Sequence, residues 1–223
     1  MNNRFKLISV LSAFIFAVSV YLVGCVNYDQ QTTLKEDGSG SMKVHYWSGM
    51  KNFSMGTSLG KFEFDEAKAK DKYKSSNSEV TSIKVEDKLD DSTKHVYIDL
   101  TFKDINKLSD AKGFESAKVT WKEHADGMEL KYILLQDTSA AKQMSASEYK
   151  VTYEFTMPSE IVSTNGNKDG QTVKYSYTLA DLGKDIEMTT VVKKAGGKLC
   201  GLIGMAMGTM LIGFAYYSQK KKK

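Results

Sequence analysis

The chain has 223 residues, with 31 Lys and Arg against 27 Asp and Glu and a formal charge of +4. Seven of the basic residues (Arg4, Lys6, Lys198 and Lys220 to Lys223) flank two apolar runs near the ends, so the stretch between them is mildly acidic and the basic balance is no signal for nucleic acid. The two cysteines, Cys25 and Cys200, both lie at or in those runs, which excludes a disulfide within the intervening segment of about 170 residues; a core of one-domain size must hold it.

The chain opens Met-Asn-Asn-Arg-Phe-Lys, and an uncharged apolar stretch runs from Leu7 to Val23. Charge, apolar run, then a small residue is the order of a secretory signal. Leu22-Val23-Gly24-Cys25 closes the run and resembles the lipobox of bacterial lipoproteins, Leu-x-Gly/Ala-Cys. That resemblance implies cleavage between Gly24 and Cys25, loss of residues 1–24, and an acylated Cys25 (diacylglycerol on the thiol and an acyl group such as palmitate on the new amine). The alternative is an uncleaved anchor with an incidental cysteine.

Val26 to Leu34 alternates and reads as a first strand, followed by Asp37-Gly38, a hairpin signal. The returning strand, Ser41 to Trp47, puts Met42, Val44 and Tyr46 on one face and Lys43, His45 and Trp47 on the other. Residues 49–60 suit a short irregular helix. Asp65 is placed to cap a charged helix over 66–73. Strands are predicted over 80–89, 95–102, 115–124, 128–136, 149–157, 173–179 and 186–192, with a helical turn at 104–110 and a hairpin at Ala125-Asp126-Gly127. Pro158, the only proline, must turn the chain off its sheet. Asn165-Gly166 and Asp169-Gly170 carry turn chemistry. The expected fold class is therefore α+β, a curved antiparallel sheet of about seven to nine strands packed on two or three short helices.

Leu199 to Tyr217 is an uncharged run of membrane-spanning length, followed by a lysine tail, so 198–223 is expected to be a transmembrane helix with a cytoplasmic end. Gly204 and Gly208 form a Gly-x-x-x-Gly pair that suits helix pairing. The two ends together predict an exported domain over 25–197, outside the cytoplasm and tied to one membrane, the inner one where there are two.

Chemistry is scarce. His45, His95 and His124 each fall in a strand on the polar or ambiguous face, without metal-ligand spacing, and read as exposed strand histidines. Acidic pairs such as Asp65-Glu66 and Asp90-Asp91 read as caps and turns. No catalytic residue, metal or cofactor is expected, and the chain reads as a non-enzyme. The aromatics and methionines either fill an ordinary core or line a cavity open to an acyl chain; the candidates for such a lining are Phe53, Met55, Phe62, Phe102, Trp121, Tyr153 and Phe155.

Met157-Pro158-Ser159-Glu160-Ile161-Val162-Ser163-Thr164-Asn165-Gly166, followed by Thr172-Val173-Lys174-Tyr175-Ser176-Tyr177-Thr178-Leu179, resembles the signature of LppM-type bacterial lipoprotein domains. It departs from that signature at Ser159 and Tyr177, where the family more often has glycine and tryptophan. The resemblance implies a domain similar to the Bet v 1 and START-like folds, an antiparallel sheet gripping helices, and an envelope role that includes lipid or glycolipid binding. The expected function is thus a membrane-anchored lipoprotein that binds a lipid or other amphiphile at the membrane surface. The alternative is a non-catalytic assembly protein docking onto a membrane-protein partner or a second copy of itself.

Overall fold

The computed structural model describes residues 26–53, 56–136 and 150–194. The predicted signal with Gly24 and Cys25, Met55, and the predicted transmembrane segment with Gly204 and Gly208 lie outside the described residues. Among the described residues no helix is long and apolar enough to cross a membrane.

Thirteen strands are described, in three sheets. β1 (Asn27–Leu34) and β2 (Gly40–Gly49) form the predicted hairpin. Gly38 takes a φ of 81° in its turn, a conformation closed to most side chains, and Asp37 Oδ1 accepts from Ser39 N at 2.9 Å. β5 (Ser78–Lys88) and β6 (Thr93–Phe102) extend the sheet beyond β2. On the other side of β1 lies β9 (Lys150–Thr156), then β12 (Thr172–Thr178) and the short β11 (Asn167–Asp169). β1 and β9 run parallel, so this seven-stranded sheet is mixed. β7 (Ala117–His124), β8 (Gly127–Leu134), β13 (Ile186–Val192) and β10 (Ile161–Thr164) make a second, antiparallel sheet. β3 (Ser58–Leu59) and β4 (Phe62–Glu63) form a small ribbon. A single α-helix is described, α1 (Glu66–Tyr73), capped as predicted by Asp65, whose carboxylate accepts from Lys68 N at 3.0 Å.

The expected fold class is corrected by this architecture. The protein is mostly β, and its sheets do not grip helices in the manner of a Bet v 1-like fold. The physical reason lies in what covers the seven-stranded sheet. α1 has eight residues and buries only Ala69 and Tyr73, too little to roof seven strands. The roof is instead the second sheet. Tyr132 of β8 meets Tyr153 and Phe155 of β9 at ring-centroid distances of 5.4 and 5.6 Å, and one core runs through both layers.

Pro158 does turn the chain off its sheet, and it hands it to the other one. β9 belongs to the first sheet and β10, which follows, to the second. Lys193 N donates to Glu160 O at 2.9 Å and holds the crossing against the end of β13. Asn165 then ties the turn after β10 to β13, donating to Glu187 O at 2.9 Å and accepting from Thr189 N at 2.8 Å. Gly166 serves a close approach. A Cβ there would stand 2.6 Å from the Tyr175 ring. The Tyr175 hydroxyl in turn donates to Thr189 O at 3.0 Å and meets Thr190 Oγ1 at 2.9 Å, joining β12 of one sheet to β13 of the other.

Candidate functional site

Beside the start of β1, residues of both sheets line a cavity of about 230 Å3. Its floor is the inward face of β1 and β9: Val26, Tyr28, Val151 and Tyr153. β8 contributes Tyr132 and Leu134, and β7 contributes Ala117. The remaining wall is local structure that neither sheet supplies. Phe62 comes from β4, Tyr73 from the last turn of α1, and Phe114 from a 3-10 turn over Lys112–Phe114. The Tyr73 ring meets Phe114 edge-on at 5.1 Å. It also lies so close to Gly113 that a Cβ there would be 2.6 Å from two ring atoms. Gly113 therefore admits the ring that closes this side.

The rim is polar. Lys61, Lys72, Lys112 and Glu115 stand around it. Lys61 Nζ donates to Ser116 Oγ at 2.8 Å, and Lys72 Nζ donates to the Lys61 carbonyl. The interior is apolar apart from phenols. Burial, the largest cause at each, holds the phenols of Tyr28, Tyr73, Tyr132 and Tyr153 well above their ordinary pKa, so all four are neutral. Tyr28 donates to Gln30 Oε1 at 2.8 Å, and Gln30 Nε2 donates to Thr32 Oγ1 at 3.1 Å. The Tyr132 hydroxyl also bonds Gln30. Gln30 and Thr32 are thus polar residues on the buried face of a central strand, satisfied by one another and by the cavity's tyrosines.

The residues expected to line a cavity are divided by the structure. Phe62 and Tyr153 stand in its wall. Phe102, Trp121 and Phe155 are sealed in the core away from it. Phe53 packs on Phe64 at 4.6 Å and contributes no wall. Met55 lies outside the described residues. Sequence reasoning missed Tyr28, Tyr73, Phe114 and Tyr132. Tyr28 and Tyr132 fall in the strands predicted over 26–34 and 128–136, but no local pattern distinguishes a strand residue beside a void from one beside a neighbour.

A second cluster sits on the outer face of the seven-stranded sheet. His45 and Trp47 of β2 lie opposite Tyr97 and His95 of β6. His45 stacks between Tyr97 at 4.3 Å and Trp47 at 4.5 Å, within 17° of parallel to both. Asp91 accepts from the Thr93 hydroxyl, so Thr93 Oγ1, 2.7 Å from His95 Nε2, accepts from it. His95 Nδ1 then accepts from His45 Nε2 at 2.9 Å. Burial, followed by His95, pushes His45 down to about 4. Burial also lowers His95, which is only 5% exposed and so corrects its reading as an exposed strand histidine. Among the described residues no three His, Cys, Asp or Glu side chains converge as a metal site would need.

The fold and the cavity define a two-sheet β domain with a lateral apolar pocket. Residues 53–194 match the family model of the LppM domain, and the chain belongs to that family. The match spans the segment 157–179 that carried the resemblance. The NMR structure of the folded domain of LppM from Mycobacterium tuberculosis is similar to this chain at 14% identity, covering 78% of this chain and 92% of that one with a TM-score of 0.47. No curated protein matches the chain.

Proposed function

We propose that this protein is a lipid-anchored component of the bacterial cell envelope whose two-sheet domain takes the apolar chain of a membrane amphiphile into the lateral cavity, without catalysing a reaction on it. The observation that carries this reading is the position of Val26. It stands in the cavity wall and is the residue next to Cys25, the candidate lipidation site. Consecutive Cα atoms are about 3.8 Å apart. A lipid on Cys25 therefore holds this end of the domain at the bilayer surface and brings the cavity within reach of the membrane's own lipids.

Size and chemistry agree. An apolar cavity of about 150 Å3 is enough for benzene, whereas pockets for drug-sized ligands run from about 300 Å3 upward. At about 230 Å3 this cavity suits one chain or part of one, and its lysine-bearing rim leaves the ligand's polar end in water. The test is native mass spectrometry of the full chain titrated with methyl laurate. One bound copy is expected, and Ala117→Phe, which projects a ring into the cavity, reduces its occupancy at unchanged melting temperature. No adduct, or an adduct indifferent to Ala117→Phe, contradicts the reading.

A further inference from the structure

The cavity has polar capacity that the fold does not use. Tyr73 and Tyr153 are 3% and 4% exposed, and neither hydroxyl has a hydrogen-bond partner among the described residues, unlike those of Tyr28 and Tyr132. Every sealed side-chain nitrogen or oxygen among the described residues does have a partner. The two hydroxyls are therefore not sealed. Their rings lie in the cavity wall, so the open space they face is the cavity.

Both rings are held in place. Tyr153 packs between Tyr28 at 5.7 Å and Tyr132 at 5.4 Å. Tyr73 is clamped by Phe114 and by the missing side chain of Gly113. A phenol that stays neutral in an apolar site is a hydrogen-bond donor that carries no charge. Its fitting partner is an uncharged oxygen. A carboxylate or phosphate taken this deep would need a cation beside it, and the cavity's lysines stand at the rim.

We infer that Tyr73 and Tyr153 form a binding subsite for a neutral acceptor oxygen, an ester carbonyl or a hydroxyl, carried within the apolar body of the ligand. The ligand class is then an acyl ester or long-chain alcohol, as distinct from a bare hydrocarbon or a free fatty-acid anion. This rests on the proposed occupancy of the cavity by an apolar chain, and it adds the feature by which the site tells one chain from another.

The experiment uses the full chain and three probes of matched length, octane, 1-octanol and methyl heptanoate, each displacing the fluorescent probe N-phenyl-1-naphthylamine. The wild type binds the alcohol and the ester more tightly than the alkane. Tyr73→Phe and Tyr153→Phe each weaken the oxygen-bearing probes about two- to tenfold and leave octane unchanged, and the double variant no longer discriminates. Loss with the ester but not the alcohol assigns a carbonyl, and the reverse assigns a hydroxyl. Equal binding of all three probes by the wild type, or discrimination that survives the double variant, overturns the subsite while leaving the cavity reading intact. Failure of every probe, octane included, overturns the cavity reading and the subsite with it. Infrared spectroscopy of bound methyl heptanoate labelled at its carbonyl carbon gives a readout independent of any variant. A stretch lowered relative to the ester in hexane is expected, and an unshifted stretch overturns the carbonyl assignment.

Discussion

His45 is held neutral by its surroundings, and that has a consequence for stability against pH. Asp29 faces it from β1, Lys88 from β5 and His95 from β6. Burial outweighs the favourable carboxylate, and the imidazole sits at about 4 in the fold against about 6.5 in the unfolded chain. Between those values the unfolded state binds the extra proton, so unfolding gains as pH falls. The stability that neutral His45 confers is complete above about pH 6.5 and is lost as pH drops through about 4. Urea midpoints recorded across this window will fall towards acid in the wild type and fall less in His45→Gln. Superimposable pH profiles would show that the stack leaves His45 free to titrate. Gly113 is a residue of another kind, valued for what it lacks. Gly113→Ala drives a methyl group against the Tyr73 ring, and urea denaturation is expected to register roughly 1–3 kcal/mol of lost stability, the usual range for overpacking. Neither effect shows in the sequence alone. His45 and His95 are fifty positions apart, and the ring that needs Gly113 lies forty residues before it.

At the scale of elements, alternation carried the sequence reading well. The β1–β2 hairpin, the β7–β8 hairpin and the inward faces of β2 and β6 follow directly from period-2 patterning and turn residues. Pairing between distant strands was not legible. β9 lies beside β1 across more than a hundred residues, and in parallel. Nothing local in Tyr28 or Tyr153 states that they will be neighbours. The stretch after Pro158 shows the same limit in a more useful form. Asn165-Gly166 reads as turn chemistry, yet the side chain of Asn165 binds β13 through two hydrogen bonds and Gly166 clears space for Tyr175. Asn165→Ala leaves the turn its glycine and removes both bonds. A loss of roughly 1–3 kcal/mol is expected, read as a lower guanidinium midpoint. Hydrogen exchange should quicken at Thr189, whose amide loses its acceptor, before it quickens in β1 or β2. A variant as stable as the wild type would reduce Asn165 to turn chemistry alone. Trp121 is the corresponding clamp on the first hairpin. Its indole donates to Glu36 O at 3.1 Å and couples the second sheet to the β1–β2 turn. Trp121→Phe removes that bond along with packed volume and is expected to cost roughly 1–3 kcal/mol in the same assay.

For the molecule as a whole, the sequence shows that each strand has one buried face but not what buries it. The charged run 66–73 reads in the sequence as a capped surface helix with a narrow apolar stripe, and in the fold it is one short side wall of the cavity. The second sheet, built from strands that alternate just as the first sheet's do, is the true roof. That difference decides where space is left. A helix-gripping fold places its void between sheet and helix, whereas here Phe102, Trp121 and Phe155, three of the seven candidates, are buried in the core that the two sheets share. Two facing sheets close over those residues, and the cavity lies at the side, where β1 begins and where α1 and the 3-10 turn place Tyr73 and Phe114. The measurement that bears most directly on the proposed role is photo-cross-linking of the full chain in phospholipid nanodiscs that contain a phospholipid with a diazirine on one acyl chain. The account predicts cross-links on the cavity wall, in peptides bearing Leu59, Phe114 or Val151, that diminish in Ala117→Phe. Cross-links confined to the outer faces of the sheets, or unaffected by filling the cavity, would contradict it.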